Sequence, residues 1–304
     1  MRFSSNINAK LYILLESLLL HSLRFIRSQR SISKQIPKSH QLINSSEKFK
    51  DLGDISIVIT TFEDRFFEFT IPLITNLRTE IKIPIFVIVN GNYYKKVDNY
   101  QLQEFIKALG DFTDIYPTAY SNFHGCAELW NTGIVNSDCE NILIFNDDIH
   151  IYPRLFKQQI KSIKESISEH GLVTINRSFS HFGVSLKCIE EVGFFDEHFL
   201  GIGEEDRDYF FRYEIRYSKK PKNFYSEAFY HFGDEASEQE VLKTPGGKYS
   251  LFNTNIKEEF YNYDANGKIN GRYEVPVKRV KNFIDPRPLW RFRRFNYKRL
   301  KIGD

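Results

Sequence analysis

Three apolar runs set the terms for the chain: ISIVIT at 55–60, IPIFVIVN at 83–90 and NILIFN at 141–146. Each is rich in β-branched residues and breaks off into polar ones. A short continuous apolar run bounded by turn signals fits a strand buried on both faces, as in a parallel sheet covered by helices. A helix is expected from about 67 to 78, a polar helix around 98–109, a short strand near 112–116 and a further helix over CAELWNTGIVN, 126–136. The order β-α-β-α-β-α-β predicts an open α/β sheet with helices on its faces. Sheets of this kind take ligands beyond the carboxyl ends of their strands. The polar residues directly after each strand are therefore the first candidates for function.

After the first strand stand Thr60, Thr61, Glu63, Asp64 and Arg65, and after the second Asn90, Gly91 and Asn92. After the last comes FNDDIH, 145–150, with Asn146, Asp147 and Asp148. Two adjacent carboxylates repel unless a cation or a proton offsets them. Mg²⁺ or Mn²⁺ does so with a few carboxylate oxygens and completes its shell with substrate phosphates. The other reading of the same residues is a solvated loop or a helix start before Pro153, where Asp is common. A second acidic block, GFFDEHFLGIGEEDRDYFFR at 193–212, places Glu204, Glu205, Asp206 and Asp208 after Gly201 and Gly203, at what reads as a helix start. Carboxylates there gain from the helix dipole. Four acids in five positions exceed what capping requires, and a carboxylate near an acceptor hydroxyl can take its proton as a bond forms. His231 in FYHFGD closes an apolar segment. A lone histidine is more often structural, although neutral imidazole also binds Mn²⁺-type ions.

The charge is unevenly spread. Of 304 residues, 42 are Lys or Arg and 39 Asp or Glu, a net +3. Residues 1–50 carry +7, residues 278–301 carry +9 and Asp304 carries −1, which leaves 51–277 at −12. An acidic body between basic ends is not the footprint of a nucleic-acid-binding core. It suits a body that needs carboxylates, with arms that favour an anionic surface. Hydrophobic residues at 41% and charged ones at 27% exclude collagen-like and wholly disordered chains. Cys126, Cys139 and Cys188 show no CxxC spacing, which argues against a disulfide scaffold or a cysteine–zinc site and for a reducing compartment.

The N-terminal run LYILLESLLL, 11–20, is too short to span a bilayer and is followed by basic residues rather than a cleavage site. Leu11, Leu14, Leu15, Leu18, Ser22, Phe25 and Ile26 follow helical spacing. Two readings stay open: a helix lying on a membrane, or one packed on protein. Residues 31–50 read as a linker. From Lys278 onward, basic residues interleave with Phe283, Trp290, Phe292, Phe295 and Tyr297, a mixture suited to anionic headgroups, to single-stranded nucleic acid or to a solvated tail. The chain lacks GxGxxG after the first strand, GxxxxGK[ST] and G-x-S-x-G. The usual dinucleotide, P-loop and hydrolase readings therefore lose their motifs.

Taken in order, these segments resemble the family 2 glycosyltransferases. ISIVITTFEDR is similar to that family's opening strand and nucleotide loop, CAELWNTGI to its small-x-x-x-Asn-x-Gly-Ile helix, FNDDIHIYP to an Asn-x-Asp variant of the D-x-D motif, and VGFFDEHFLGIGEEDRDYFFR to its Gly-Phe-Asp-Glu…Glu-Asp-x-Asp…Arg block. The resemblance covers about residues 54–235. It implies a GT-A fold, an open and mostly parallel sheet with a nucleotide-binding half and an acceptor half. It also implies a metal-dependent, inverting transfer from a nucleotide-sugar donor, a UDP- or dTDP-sugar, to a saccharide or lipid-linked acceptor in surface polysaccharide or glycolipid assembly. Position by position, it makes Asp148 the main ligand of Mn²⁺ or Mg²⁺, with His231 beside it, and Asp206 of the Glu205-Asp206 pair the base. Thr60, Thr61, Glu63, Arg65, Asn90, Asn131, Asn146 and Asp147 would border the donor. Asn90 stands where many members carry an Asp.

The domain boundaries expected are a basic helix and linker over 1–50, the transferase domain over 51–235 and a basic, aromatic extension over 236–304. The placement expected is cytoplasmic, with the basic ends resting on the inner leaflet of the membrane; no nucleic-acid partner is expected. Two competing readings remain. One is a degenerate family member that binds carbohydrate or acts as a scaffold. The other is a nucleotidyltransferase, which would carry a Gly-rich basic loop where this chain has TTFEDRF.

Overall fold

The computed structural model describes residues 54–137, 139–231, 249–263 and 269–272. The N-terminal helix and linker and the basic stretch from Lys278 lie outside the described residues. Among the described residues, no helix is long and apolar enough to cross a membrane.

Strand β1 (Ile55–Phe62) is the ISIVIT run, and β2 (Ile85–Asn90) and β4 (Asn141–Asn146) are the other two. All three pair in parallel, with β1 in the middle, and β3 (Ile115–Ala119) adds to β2. Alternation along β1 explains its unbroken hydrophobicity. Ile57 and Ile59 enter one core with helices α1 (Ile71–Arg78) and α2 (Asn99–Gly110), and Val58 enters the other with α3 (Cys126–Asn136). Both sides of the sheet are covered. Gly133 of α3 is pressed onto Val58, where an added Cβ would stand 2.1 Å from a valine methyl.

Two of the expected elements are adjusted by local chemistry. The helix expected from 67 begins as a wider π turn over Phe66–Thr70 before α1. The strand expected near 112–116 starts three residues later. Asp114 turns the chain in the left-handed region at φ 57, so pairing with β2 begins at Ile115. Asp98 caps α2 by accepting from Gln101 N at 2.8 Å.

Beyond β4 come the short β5 (Ile149–Ile151), the long α4 (Pro153–His170), then β6 (Leu172–Ile175), β7 (Ser178–Ser185) and α5 (Leu186–Val192). Helix α6 (Glu205–Tyr217), β8 (Lys222–Phe224) and β9 (Phe229–His231) follow. The main sheet has the order β3-β2-β1-β4-β7-β6-β8, with β7 the one antiparallel strand. It is the open, mostly parallel α/β sheet expected. Helix α7 (Ser250–Phe260) and the hairpin of β10 (Tyr261–Tyr263) and β11 (Ile269–Arg272) belong by sequence to the expected extension. They nevertheless share a small core, in which Phe260 and Tyr261 join Phe199.

The chain leaves β1 toward β2 and β3 on one side and returns to β4 on the other. The carboxyl ends of β1 and β4 thus flank the point where the winding reverses. That is where an open sheet forms its ligand crevice.

Candidate active site

Register builds the first part of the site. Thr60 and Asn146 are cross-strand partners, and Thr60 Oγ1 donates to Asn146 Oδ1 at 3.2 Å. One residue on, Thr61 Oγ1 donates to Asp147 Oδ2 at 2.7 Å. The Arg65 guanidinium lies 2.9 Å from Asp147 Oδ1, 3.6 Å from Asp148 Oδ2, and 4.7 Å over the Phe69 ring. Asp147 is 3% exposed. Burial pushes its carboxyl up to about 7, against the pull of Arg65 and Thr61.

Asp148 faces the other way. The two-stranded ribbon of β5 and β9 pairs Ile149 with His231, which brings His231 Nε2 to 3.4 Å from Asp148 Oδ1. Burial raises the Asp148 carboxyl, but His231 and Arg65 outweigh it and leave the group below its ordinary value. His231 thus meets the motif of β4 through a ribbon that is separate from the main sheet.

The second part of the site is a meeting of two helix starts. Gly125 precedes α3 at a point where a Cβ would stand 3.2 Å from the Phe199 carbonyl, and Cys126 N donates to Gly201 O at 2.8 Å. Helix α6 therefore opens beside the N-terminus of α3. Glu205, its first residue, is 4% exposed, and its Oε2 has no hydrogen-bond partner among the described residues. Burial and the neighbouring Asp206 raise Glu205 to about 8. Asp206 is half-buried and also raised, by burial first and by Glu204 as well. The Cys126 thiol lies near all three carboxyls: burial pushes it far up, and Glu205, Asp206 and Asp148 add to the shift.

Other expected donor residues act as struts. The Asn90 side chain is fully buried and spans His124, donating to its carbonyl and accepting from its N–H, both at 2.9 Å. Asn131 holds Phe195 in the same two-way fashion, at 2.8 and 3.1 Å, and reaches Glu197 at 3.0 Å. Glu63 accepts from Asn92 at 2.5 Å and Gln101 at 2.6 Å. All three residues set the loops around the crevice.

Sequence reasoning does not single out Cys126, nor the α7 residues Asn253, Thr254 and Lys257, which reach the loop before α6. The three stand at i, i+1 and i+4, the spacing of one helix face, and that is the only signal they carry in the sequence.

A divalent ion is tested by the donor set. Among the described residues, no group of three or more His, Cys, Asp and Glu side chains is arranged to hold a metal. Among the described residues, however, buried Asp148 Oδ1 has no hydrogen-bond partner beyond the His231 ring beside it. A carboxylate and an imidazole fit a hard ion that draws its other ligands from phosphate and water.

No family model matches the chain, and no curated protein matches it. Solved structures do. The S. aureus protein TarS aligns at 12% identity and a TM-score of 0.45, over 58% of this chain and 36% of TarS, so the chain spans about a third of that protein's length. TarS 1–349 in complex with UDP-GlcNAc aligns at 12% identity and a TM-score of 0.41, over 80% of each chain. The mannosyltransferase PcManGT from Pyrobaculum calidifontis, in complex with GDP-Man and Mn²⁺, aligns at 11% identity and a TM-score of 0.43, over 72% of this chain and 67% of its own. These are distant likenesses.

Proposed function

We propose that the chain is a glycosyltransferase of the GT-A type, which moves a sugar from a nucleoside-diphosphate donor to a hydroxyl of a saccharide or lipid-linked acceptor, with inversion. The observation that carries this reading is the convergence on Cys126: the Asp148–His231 pair from the sheet's crevice and the Glu205–Asp206 pair from α6 both stand near one thiol at the start of α3. Transfer from such a donor needs these two kinds of group close together, one to hold a diphosphate and one to take a proton.

Asp148 and His231 would hold Mn²⁺ or Mg²⁺. A bound ion supplies positive charge that offsets the charge gathering on a leaving diphosphate. Arg65 adds a fixed positive charge at the same edge. The half-buried Asp206, which burial raises above the ordinary carboxylate value, is suited to general-base work. Its carboxylate takes the proton of the acceptor hydroxyl as that oxygen bonds to the anomeric carbon. The bond from that carbon to the diphosphate breaks on the opposite face, and its electron pair leaves with the nucleoside diphosphate. Glu205, neutral below about pH 8, keeps a second negative charge away from the incoming hydroxyl. The UDP- or dTDP-sugar expected from the resemblance remains the proposed donor, and surface polysaccharide or glycolipid assembly on the inner leaflet the proposed setting.

A second reading, a carbohydrate-binding protein without transfer, is favoured by one feature. Arg65 already bridges Asp147 and Asp148, so their charges are partly offset without an ion. Thermal unfolding with UDP, dTDP, GDP and CDP, each with and without Mn²⁺, separates the two. The transferase reading expects one nucleotide to raise the melting temperature only with Mn²⁺, and Asp148→Ala to abolish the shift. Well-folded protein that responds to none of the four would overturn it in favour of the second reading.

A further inference from the structure

The loop that leads into α6 is strained. Glu204 sits at φ 72, a left-handed conformation in which the Cβ of a non-glycine residue crowds the following carbonyl. Gly201 at φ 63 and Gly203 at φ 108 flank it, so three of four successive residues have positive φ. A strained residue persists where its surroundings over-determine it. Here the surroundings come from α7. Lys257 Nζ lies 2.6 Å from Glu204 Oε2, and Thr254 Oγ1 donates to Glu204 Oε1 at 3.2 Å, so both carboxylate oxygens are held. Asn253, fully buried, accepts from Leu200 N at 2.9 Å and donates to the carbonyls of Leu200 and Gly203 at 2.8 and 2.7 Å. Lys257 is itself 4% exposed. A lysine this deeply buried is sustained by its partner charge.

We propose that Lys257 and Asn253 are positioning residues for the chemistry: they hold Glu204 in its left-handed turn, and so fix where the Asp206 carboxylate stands and how much uncompensated negative charge surrounds it. The proposal rests on Asp206 being the base. It gives work to a helix that the sequence places in an extension beyond the transferase domain. Of the four acids, the outer two are ion-paired, Glu204 with Lys257 and Asp208 with Arg212 at 2.7 Å. The titratable groups that face Asp206 are Glu204, Glu205 and Arg207 from its own segment and the Cys126 thiol from α3; of these Glu204 and Arg207 carry charge at neutral pH, with Lys257 acting through Glu204. Glu204 is one of the causes that raise Asp206. Removing Lys257 leaves that charge unbalanced and frees the turn.

The test follows the full chain with ¹³Cγ-labelled aspartate, the Asp206 signal being assigned by its loss in Asp206→Asn. Lys257→Gln should move the Asp206 titration midpoint up and Glu204→Gln should move it down, with Lys257→Arg close to the parent. Amide exchange over 200–208 should speed up at least about tenfold in Lys257→Gln, since a buried ion pair has lost one partner. A parental midpoint and parental exchange in folded Lys257→Gln would overturn the proposal. Should Lys257→Gln fail to fold, an unchanged midpoint in Glu204→Gln overturns it equally. The base assignment is read apart from this, by nucleoside-diphosphate release from UDP-GlcNAc, UDP-glucose and GDP-mannose in Asp206→Asn. Loss of release there, with a parental midpoint in the Lys257 and Glu204 variants, would sink the positioning role alone.

Discussion

Asp147 and Asp148 after β4, and Asp206 and Asp208 at the start of α6, are both close pairs of carboxylates with an arginine nearby, and the arginine is spent differently in each. At the sheet edge Arg65 is shared: it lies 2.9 Å from Asp147 and still reaches Asp148 at 3.6 Å. At α6, Arg212 is given to Asp208 at 2.7 Å and to the Val192 carbonyl at 3.1 Å, while Tyr261 OH donates to the same Asp208. The member of each pair sunk in the protein, 3% and 0% exposed, is anchored by the arginine and a hydroxyl. The more accessible member keeps open capacity, but with opposite acidity. Asp148 is held below its ordinary value by His231 and Arg65, while Asp206 is raised above its own by burial, the contrast that the proposed cation and base roles would use. Neighbouring acids in a sequence thus say little about roles; the position of the nearest guanidinium separates them.

The largest effect should fall on the accessible member at α6. Asp206→Asn is expected to cut nucleoside-diphosphate release by about 10²–10⁴-fold while the Mn²⁺-dependent nucleotide shift survives. Parental turnover would break the comparison at its functional end. On the anchored member the effect should be one of stability. Asp208→Ala removes the carboxylate that Arg212 and Tyr261 share and leaves the buried guanidinium without its counter-charge, which costs about 3–5 kcal/mol, although Tyr261 OH keeps the backbone carbonyl of residue 208 and Arg212 that of Val192. Urea unfolding at neutral pH reads this directly. A loss under about 1 kcal/mol, the scale of an exposed pair, would show that Asp208 is no anchor.

Much of the sheet was legible because its strands are buried on both faces, and such burial writes continuous apolar runs. Strand β4 and helix α3 lie where those patterns end, at Asn141–Asn146 and Cys126–Asn136. Asn146, Asp147 and Asp148 were legible as a cluster for the same reason, since they follow a strand. What the sequence does not carry is division of labour. Asn90 reads as a ligand contact, and the sequence gives no sign that its amide also donates to and accepts from the His124 backbone, a partner 34 positions away. Arg65 and Lys257 gain their meaning from tertiary contacts of the same non-periodic kind, whereas Arg212 meets Asp208 at the ordinary i,i+4 spacing of a helix. Helix α7 is silent in the sequence because its working face is polar: Asn253, Thr254 and Lys257 bond to a loop instead of filling a core.

Glu205 offers the finest cut between the two regions, because its effect is read in pH. An unfolded glutamate titrates near 4.5, and the folded one is raised to about 8 by burial and by Asp206. Below 4.5 both states hold the proton and Glu205 contributes no cost. Between 4.5 and about 8 the folded state keeps a proton that the unfolded state has lost, so stability must fall as pH rises through this window. Above about 8 the whole cost is present, on the order of 2–5 kcal/mol. Glu205→Gln has nothing to titrate and keeps a neutral side chain of the same size, so its unfolding free energy should stay flatter from pH 5 to pH 9. Urea unfolding at pH 5, 7 and 9 should therefore show parent and variant diverging, the variant being the more stable at pH 9. Parallel curves would mean that Glu205 is ionised in the folded protein. The start of α6 would then carry its negative charge unprotonated, as the sheet edge does at Asp148, and the contrast in acidity between the two regions would shrink to Asp206 alone.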